Sequence, residues 1–189
     1  MIAVEILPVT LPDSVEASDA RDFLDYVRIA GTVTREQSGS SALAQDPGEI
    51  LARLRDAATA TWVPLLARIA GRPAGAAQFM APADGGVLAN ISVFVPRRDT
   101  GILEAMLIKT AEEQARSRWR TALRAVSLHR PGPEGDAIPT ASGDGSVPRD
   151  PQARALAESG YTLERVSRHP VPHHDLEYLS AEWRKALAV

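Results

Sequence analysis

An apolar strand that runs through a short basic turn into a long amphipathic helix is the feature that most limits how this chain can fold. The strand is predicted over residues 87–95, the turn contains Arg97, Arg98 and a single glycine, Gly101, and the helix runs on to about Trp119. Such a turn directs the free N–H groups of a helix N-terminus at whatever occupies it, and the arginines add positive charge. The arrangement predicts a site for a phosphate or pyrophosphate.

The chain is long enough for one sizeable core, because 189 residues rarely build two full domains. Hydrophobic residues make up 44% of the chain, charged residues make up 24%, and the net charge is -3, which is typical of a soluble globular protein. The mild acidity argues against a nucleic-acid binder, since phosphate contacts need a basic surface. The absence of cysteine excludes disulfides, thiolate catalysis and cysteine-based metal sites.

Nothing in the sequence predicts a membrane segment or a signal peptide. No stretch reaches the apolar length of a bilayer span, and residues 1–14 contain Glu5 and no basic region. We therefore expect a cytoplasmic protein that does not bind membranes. A composition rich in Ala, Arg, Gly and Pro and poor in Lys favours a GC-rich bacterial source.

Hydrophobic periodicity predicts the element order β-α-α-β-β-β-α-β-α-β-α, which indicates an α/β or α+β domain with a mixed sheet flanked by helices. The strands are predicted at 3–9, 62–70, 74–80, 87–95, 122–129 and 161–168. Helices are predicted after caps at Ser18–Asp19, Asp46 and Asp150, from Gly101, and from about Leu176. We expect loops at 37–41 and at the Pro- and Gly-rich segment 130–149. The domain would then span 1–175, followed by a short helical tail over 176–189.

The third helix and the tryptophans predict part of the core. The apolar face expected on that helix consists of Ile102, Met106, Ala111, Ala115 and Trp119. Trp62 and Trp119 are expected to be core residues.

Two local patterns make the chain resemble the GNAT superfamily of N-acyltransferases. The family's turn reads R/Q-x-x-G-x-G/A after an apolar strand, and residues 98–103 here read R-D-T-G-I-L. Residues 150–161, DPQARALAESGY, resemble the family's N-P-x-A-x-x-L-Y-E-x-x-G-F. Segments 4–23 and 142–168 are also similar to the N-terminal half of tandem-domain GNAT proteins of actinobacteria, and this chain corresponds to one such half.

The resemblance implies a GNAT fold over essentially the whole chain. It also implies transfer of an acetyl or other acyl group from acyl-CoA to a primary amine, which would belong to a small molecule or to a protein N-terminus or lysine. In the family, the strand before the turn positions the thioester and the pantetheine arm, and the turn holds the pyrophosphate. The residues thereby implied to contact acyl-CoA are Val93, Phe94, Val95, Arg98, Asp99, Thr100, Gly101, Ile102 and Leu103.

Some residues depart from the family pattern. Leu103 replaces a Gly or Ala beside the phosphates, where its side chain either points away or narrows the site. Asp99 brings a carboxylate into the anion site, Ala157 replaces a tyrosine whose phenol often protonates the departing thiolate, and the turn is shorter than usual. The alternatives are therefore a catalytically silent GNAT-fold module that acts in binding or assembly, or a GNAT scaffold recruited to specialised metabolism.

His129 is the candidate general base. It ends the strand 122–129, near where the sheet would open around the cofactor, and the ordinary pKa of histidine suits proton transfer near neutrality. The alternative is a loop-edge histidine without a chemical role. Tyr161 either replaces the lost tyrosine or fills the family's aromatic core position.

A histidine cluster near the C-terminus raises the question of a metal. The cluster consists of His169, His173, His174 and Asp175. Its H-x-x-x-H spacing is loose and the segment is rich in proline, so we expect an exposed tail and no metal site.

The resemblance to half of a tandem protein also bears on assembly. A lone half would expose the apolar surface that the second half covers, and large exposed patches are uncommon on monomers. The predicted C-terminal helix, with Leu179, Trp183 and Leu187, would be available to cover this surface or to pair with another copy. We therefore expect a homodimer or a complex with a second GNAT half, and no nucleic-acid partner.

Overall fold

The computed structural model describes residues 3–40, 43, 45–96, 101–132, 135–171 and 176–187. Its strands are β1 (Val4–Pro8), β2 (Ala60–Ile69), β3 (Arg72–Pro82), β4 (Leu88–Phe94), β5 (Ala122–His129), β6 (Ala137–Pro139), β7 (Ser146–Pro148), β8 (Thr162–Pro170) and β9 (Glu177–Ala186). Its helices are α1 (Arg21–Ser38), α2 (Pro47–Arg55), α3 (Ile102–Arg116) and α4 (Pro151–Glu158). None of the helices in these ranges has the length and apolar character needed to cross a bilayer.

Within the described residues, seven strands form one mixed sheet in the order β1-β2-β3-β4-β5-β9-β8, and β6 pairs with β7 separately. Neighbouring strands of the large sheet are antiparallel except β4 and β5, which are parallel. The short β1 and the longer β8 form the two edges. The predicted mixed α/β architecture is confirmed.

Helices cover both faces of the sheet because alternate residues of a strand point to opposite sides. In β2, Leu65 packs in the core that α3 and α4 share with the sheet, whereas Leu66 packs in the core under α1 and α2. Leu107 of α3 belongs to the first core and Phe23 of α1 to the second, and both are fully buried. The sheet is therefore the middle of three layers.

β4 and β5 pair over only part of their length. Their ladder ends where Ile91 lies beside Ala125. Beyond that point β4 continues beside β3 to Phe94, and β5 continues beside β9 to His129. The two strands therefore part at their carboxyl ends, the position at which open α/β sheets bind ligands.

Two predicted helix starts are confirmed. The Asp46 carboxylate accepts the Gly48 N–H at 2.8 Å at the start of α2. The Asp150 carboxylate accepts the Ala153 N–H at 2.9 Å at the start of α4. In both helices the next residue is proline, whose fixed φ suits the first helical position.

Helix α1 begins later and ends later than predicted. The predicted cap at 18–19 is wrong, because the helix begins at Arg21 without a side-chain cap. It extends to Ser38 through residues predicted as loop, and it ends where Gly39, at a φ of 72°, adopts the left-handed conformation. The longer helix brings Gln37 to the split between β4 and β5.

The C-terminal segment is a strand, so the predicted helical tail over 176–189 is wrong. β9 inserts between β5 and β8 and pairs with both. Leu179, Trp183 and Leu187 recur every fourth residue, which fits both a helical stripe and alternate positions of a strand. All three are buried in the domain, so they are not available to cover another surface or to pair with another copy.

Helix α3 buries a different face from the predicted one. The buried row consists of Leu103, Leu107, Ile108, Ala111 and Ala115. The predicted row shares its two alanines but also included Ile102, which is 68% exposed, Met106, and Trp119, which is 87% exposed. Both rows are apolar, and contact with the sheet selects one of them. Trp62 is partly buried against the core under α1 and α2.

The segment 130–149 is not a loop throughout, since β6 and β7 form a two-stranded hairpin. The Asp144 carboxylate accepts hydrogen bonds from Ser142 Oγ at 2.7 Å and Thr140 Oγ1 at 2.8 Å across its turn. These bonds, first the one from Ser142, lower the pKa of Asp144 below its usual value. Val147 is fully buried in the core under α3 and α4 and anchors the hairpin to the domain.

Candidate functional site

The split between β4 and β5 opens into a cavity of about 420 Å³, which we call the split cavity. Its wall is formed by Val95 after β4, Glu104 in the first turn of α3, Arg130 after β5, and the first residues of α4. Glu104, Asp150 and Arg130 therefore line one cavity that is open to solvent. The cavity thus lies between the ends of β4 and β5 and the N-terminus of α3, the strand and helix ends that the sequence singled out.

Gln152 spans the split. Its Nε2 donates to the carbonyl oxygen of Val93 at 2.8 Å, and its Oε1 accepts from Gln37 Nε2 at 2.8 Å. The side chain is buried, so both bonds form away from bulk solvent. Gln152 thus joins α4, the end of β4 and the end of α1, and it occupies a backbone acceptor of the strand that was predicted to position the thioester.

His129 belongs to a buried chain of hydrogen bonds. Its Nδ1 lies 2.6 Å from Asp150 Oδ2 and its Nε2 lies 2.7 Å from Ser127 Oγ. Trp183 Nε1 donates to the same Ser127 oxygen at 2.9 Å. An ionised carboxylate can only accept, so Nδ1 carries the hydrogen and Nε2 of the neutral ring accepts the Ser127 hydroxyl. Both ring nitrogens are bonded to protein groups, and the ring is fully buried.

Asp150 links this buried chain to the split cavity. Its side chain is 34% exposed, and it lines the cavity while it caps α4 and accepts from His129. A carboxylate with bonds from both a backbone N–H and an imidazole is held in one orientation. Asp150, rather than His129, is thus the group of the pair that faces the cavity.

A groove of about 380 Å³ runs between α3 and α4. Lys109 and Arg154 contribute positive charge to it and Glu158 contributes negative charge. Gly101, at the start of α3, has a φ of 91°, which L-residues rarely adopt, and its Cα faces the Arg154 guanidinium. The positive end of the α3 helix dipole and these cations favour the binding of a phosphate in the groove.

No protein-family model matches this chain, and a search of curated proteins gave no significant match. Solved structures match over almost its whole length. An N-acetyltransferase from Staphylococcus aureus matches with a TM-score of 0.66 and 13% identity, covering 98% of this chain and 99% of that chain. YncA of Salmonella typhimurium, which was solved with its cofactor acetyl-CoA, matches with a TM-score of 0.61 and 17% identity, covering 98% and 95%.

A tandem GNAT protein from the clavulanic acid biosynthesis pathway matches with a TM-score of 0.61 and 23% identity. The alignment covers 88% of this chain and 46% of that chain, so this chain corresponds in length to about one half of the tandem protein. At sequence identities of 13% to 23%, these structural matches establish how the helices and strands are arranged and nothing more. This chain has the GNAT fold.

The predicted cofactor contacts of the GNAT fold fall into separate places. Val93, Phe94 and Val95 lie where β4 leaves β5. Gly101 and Ile102 line the α3–α4 groove. The predicted contacts Arg98, Asp99 and Thr100 lie outside the described residues.

Leu103 points into the core and not into the turn. Its side chain is 2% exposed, and a Cβ atom built on Gly75 would lie 3.0 Å from its Cδ2. Of the two orientations expected from the sequence, the side chain adopts the one that points away from the turn into the core. The absence of a side chain at Gly75 makes room for it.

Tyr161 lies at the opposite end of β5 from the split cavity. It is buried, its ring lies under the Lys185 ammonium, and burial and then the Glu112 carboxylate raise the pKa of its phenol far above the usual value. Lys185 pairs with Leu123 near the start of β5. Of the two alternatives considered for Tyr161, the structure shows the core position, and no tyrosine stands at Ala157, which packs against the same core.

The histidine cluster is described only in part. His169 stacks on Tyr178 with ring centroids 4.8 Å apart, and its Nε2 lies 2.8 Å from Ser180 Oγ. His173, His174 and Asp175 lie outside the described residues. Among the residues that are described, no group of three or more histidines and carboxylates could hold a metal ion.

Sequence reasoning missed Gln152 as a site residue and recognised Asp150 only as a cap. The available signal for Gln152 was its position on the buried side of a short helix, beside Ala153 and Leu156, where a long polar side chain needs a hydrogen-bond partner. Its partner Val93 is 59 residues away, so no local pattern identifies it.

Proposed function

We propose that this chain is an acyl-CoA-dependent N-acyltransferase that moves an acetyl or other acyl group to a primary amine. The observation that supports this most strongly is the parting of β4 and β5 over a cavity next to the N-terminus of α3. A protein with the same fold, YncA, was solved with acetyl-CoA. Acyl-CoA would supply the activated acyl group as a thioester.

The residues present suit such a cofactor. Its phosphates would bind at the N-terminus of α3, in the groove that contains Lys109 and Arg154, with Arg98, Asp99, Thr100, Gly101 and Ile102 along the turn. Its amide-bearing arm would run along Val93, Phe94 and Val95. Gln152 must release the Val93 carbonyl for that backbone to bond the arm, or the arm must use the groups on either side of it.

Proton transfer in this proposal takes place at Asp150. Its carboxylate faces the split cavity and can accept a proton from an acceptor ammonium. His129 donates to Asp150 and in turn accepts from Ser127, so it holds the carboxylate in place without touching the acceptor. His129 is then a positioning residue and not the general base that its place in the sequence suggested.

A second candidate is a catalytically silent module that keeps the fold for binding or assembly. The Gln152 bond to Val93 and the absence of a tyrosine at Ala157 favour it, because both remove groups that the transfer would use. The two candidates differ in what acetyl-CoA does when it binds, since only the enzyme releases free thiol in the presence of an amine.

Calorimetric titration of acetyl-CoA, followed by a thiol-release assay with a panel of primary amines, tests the proposal. We expect binding, and we expect Arg98→Ala to weaken it by about 1–2 kcal/mol, the free energy of one charged hydrogen bond. Arg165→Ala, on edge strand β8, is the matched control and should bind normally. Absence of binding overturns the cofactor assignment, and binding without thiol release for any amine favours the silent module.

We also propose that the chain works with a second GNAT unit, either another copy or a separately encoded half. The length relation to the tandem protein supports this, although the helix first expected to make the contact is a core strand. Light scattering and co-purification test it. A mass near 20.2 kDa at high concentration, with no partner recovered, contradicts it.

A further inference from the structure

On the face of the sheet opposite the α3–α4 groove, α1 and α2 border an open cavity of about 280 Å³ together with β3 and β4. We call it the arginine cavity, because its described lining includes Arg28, Arg35 and Arg53 and no acidic residue. Its floor is formed by Tyr26, Gln78 and Phe94. A cavity of this size is near the lower limit of ligand sites and suits a small molecule better than a polypeptide.

The arginine cavity adjoins the reacting end of β4. Phe94, the last residue of β4, packs toward α1 and α2, whereas the next residue, Val95, lines the split cavity on the other face. Consecutive residues of an extended chain point to opposite sides. A molecule in the arginine cavity therefore reaches the parted strands from the side that the cofactor groove leaves open.

The floor of the arginine cavity presents donors. Tyr26 is buried and donates its hydroxyl to Gln78 Oε1 at 2.8 Å. Burial raises the pKa of Tyr26 far above its usual value, so the phenol stays protonated, and the Arg53 charge nearby opposes this shift in part. Because Oε1 is occupied, Gln78 has its N–H groups left to offer to a ligand.

The arginines above this floor differ in how their charge is balanced. Arg28 forms an ion pair with Asp25 at 2.8 Å. Arg53 is held by neutral groups, through a bond to Gln45 Oε1 at 2.8 Å and a position 5.8 Å from the centre of the Trp62 ring. Among the residues that the structure describes, neither Arg35 nor Arg53 forms an ion pair. Both side chains are exposed, and an anion bound between them would pair with both.

We propose that the acceptor is a small amine that also carries a carboxylate, with the carboxylate bound by Arg35 and Arg53 and the amine directed past Phe94 to the split. This inference rests on the proposed acyl transfer. It follows from charge, since Arg28 is paired with Asp25 but Arg35 and Arg53 form no ion pair within the described residues, and two such cations favour a carboxylate over an ammonium group. It selects a small-molecule acceptor over a protein lysine.

Binding of reaction products tests this without any turnover. N-acetylleucine and N-acetylleucinamide differ only in the carboxylate, and the corresponding glycine and glutamate pairs cover other side chains. We expect at least one carboxylate to bind about tenfold more tightly than its amide, a difference near 1.4 kcal/mol. Arg35→Gln and Arg53→Gln should each remove most of this preference, and Arg53→Lys should keep part of it.

Arg55→Gln is the matched control, because Arg55 lies on the same helix as Arg53, pairs with Asp13 and does not line the cavity. Equal binding of every acid and its amide overturns the inference, as does the absence of binding by all of them. A preference that survives both Arg35→Gln and Arg53→Gln, or tighter binding of inorganic phosphate than of any carboxylate, also overturns it. Melting curves of each variant confirm that it is folded.

Acetyl-CoA titration of the same samples separates this inference from the proposed function. Normal acetyl-CoA binding without a carboxylate preference contradicts only the acceptor class. A carboxylate preference that depends on Arg35 and Arg53, in a protein that binds no acetyl-CoA, contradicts only the acyl transfer.

Discussion

The two ends of β5 differ in their surroundings. Its first residues pair with both β4 and β9 and lie beside a cluster of ion pairs, which we call the closed cluster. Its last residues pair with β9 but not with β4, and they lie beside the split cavity. In the closed cluster, the Glu112 carboxylate binds Lys185 Nζ at 2.7 Å and an Arg116 nitrogen at 3.1 Å, and Lys185 also donates to the Ser159 carbonyl. At the open end, the hydrogen-bonded chain from Trp183 through Ser127 and His129 stops at the Asp150 carboxylate, whose side chain is about one third exposed.

The two ends show that buried polar groups can serve stability alone or both stability and binding. The closed cluster joins α3, β9 and the end of α4, and its one carboxylate, that of Glu112, is paired with two cations of the fold, Lys185 and the partly exposed Arg116. The open chain delivers one oriented carboxylate to solvent-accessible space. We therefore expect substitutions at the closed end to change stability alone, and substitutions at the open end to change both stability and binding.

The largest effect should come from Leu103→Ala, on the core side of the first turn of α3. Its buried side chain fills the space over Gly75, so truncation leaves a cavity and lowers the free energy of unfolding by about 3 kcal/mol. Urea denaturation measures this, with Ile102→Ala, an exposed neighbour, as the control. Tighter acetyl-CoA binding together with unchanged stability would show that the side chain faces the anion site.

Lys185→Met should break the closed end while it leaves the open end intact. The methionine keeps the packing over Tyr161 but leaves the Glu112 carboxylate with one cation fewer, which should cost about 2 kcal/mol of stability. Acetyl-CoA affinity, measured below the melting transition, should stay within error of wild type. Lost affinity in a folded Lys185→Met protein would mean that the two ends are coupled.

Gln152→Ala, at the open end, should change the free energy of unfolding and the affinity for acetyl-CoA in opposite directions. Losing the bonds to Val93 and Gln37 should lower the free energy of unfolding by about 1 kcal/mol, and the freed Val93 carbonyl should tighten acetyl-CoA binding. Gln114→Ala, on the solvent side of α3, is the control. Weaker acetyl-CoA binding in Gln152→Ala would instead make Gln152 part of the cofactor site.

The smallest effect should come from Asp144→Asn in the β6–β7 hairpin. Because hydrogen bonds lower the pKa of Asp144 in the folded protein, its carboxylate stabilises the fold above its usual pKa of 3.8, and this contribution is lost as the pH falls through the lowered value. Hydrogen exchange at Gly145, whose N–H donates to Thr140 Oγ1, should be faster in the variant near neutral pH and equal to wild type in strong acid. Equal rates at neutral pH would contradict this.

Local chemistry explains what the sequence predicted well. Asp46 and Asp150, each followed by proline, identified their helices because a cap depends on residues two or three positions away. The strand-turn-helix around Gly101 and the segment 150–161 predicted the fold through their resemblance to the GNAT superfamily. The predictions for the C-terminal segment and for the buried face of α3 were wrong for one reason, which is that the spacing of apolar residues fitted two structures equally well. Leu179, Trp183 and Leu187 fit helix and strand alike, and α3 has two apolar rows.

The candidate site was less predictable because its contacts join distant segments. The bonds from Gln152 to Val93 and Gln37 span 59 and 115 residues. His129 was recognised from its residue type, but only the fold reveals that both its nitrogens are occupied and that Asp150 faces the cavity. The arginine cavity draws on α1 and α2, in which no family pattern marked a residue.

The edges of the large sheet limit how this domain can assemble. β1 is short and ends at Pro8, while β8 ends at Pro170 and exposes Glu164 and Arg165. Short strands, prolines and charges at an edge oppose the addition of another strand, which guards against fibrous aggregation. A second copy or a tandem half would therefore join through a helical face, and the sheet would remain seven strands wide within the described residues of each unit.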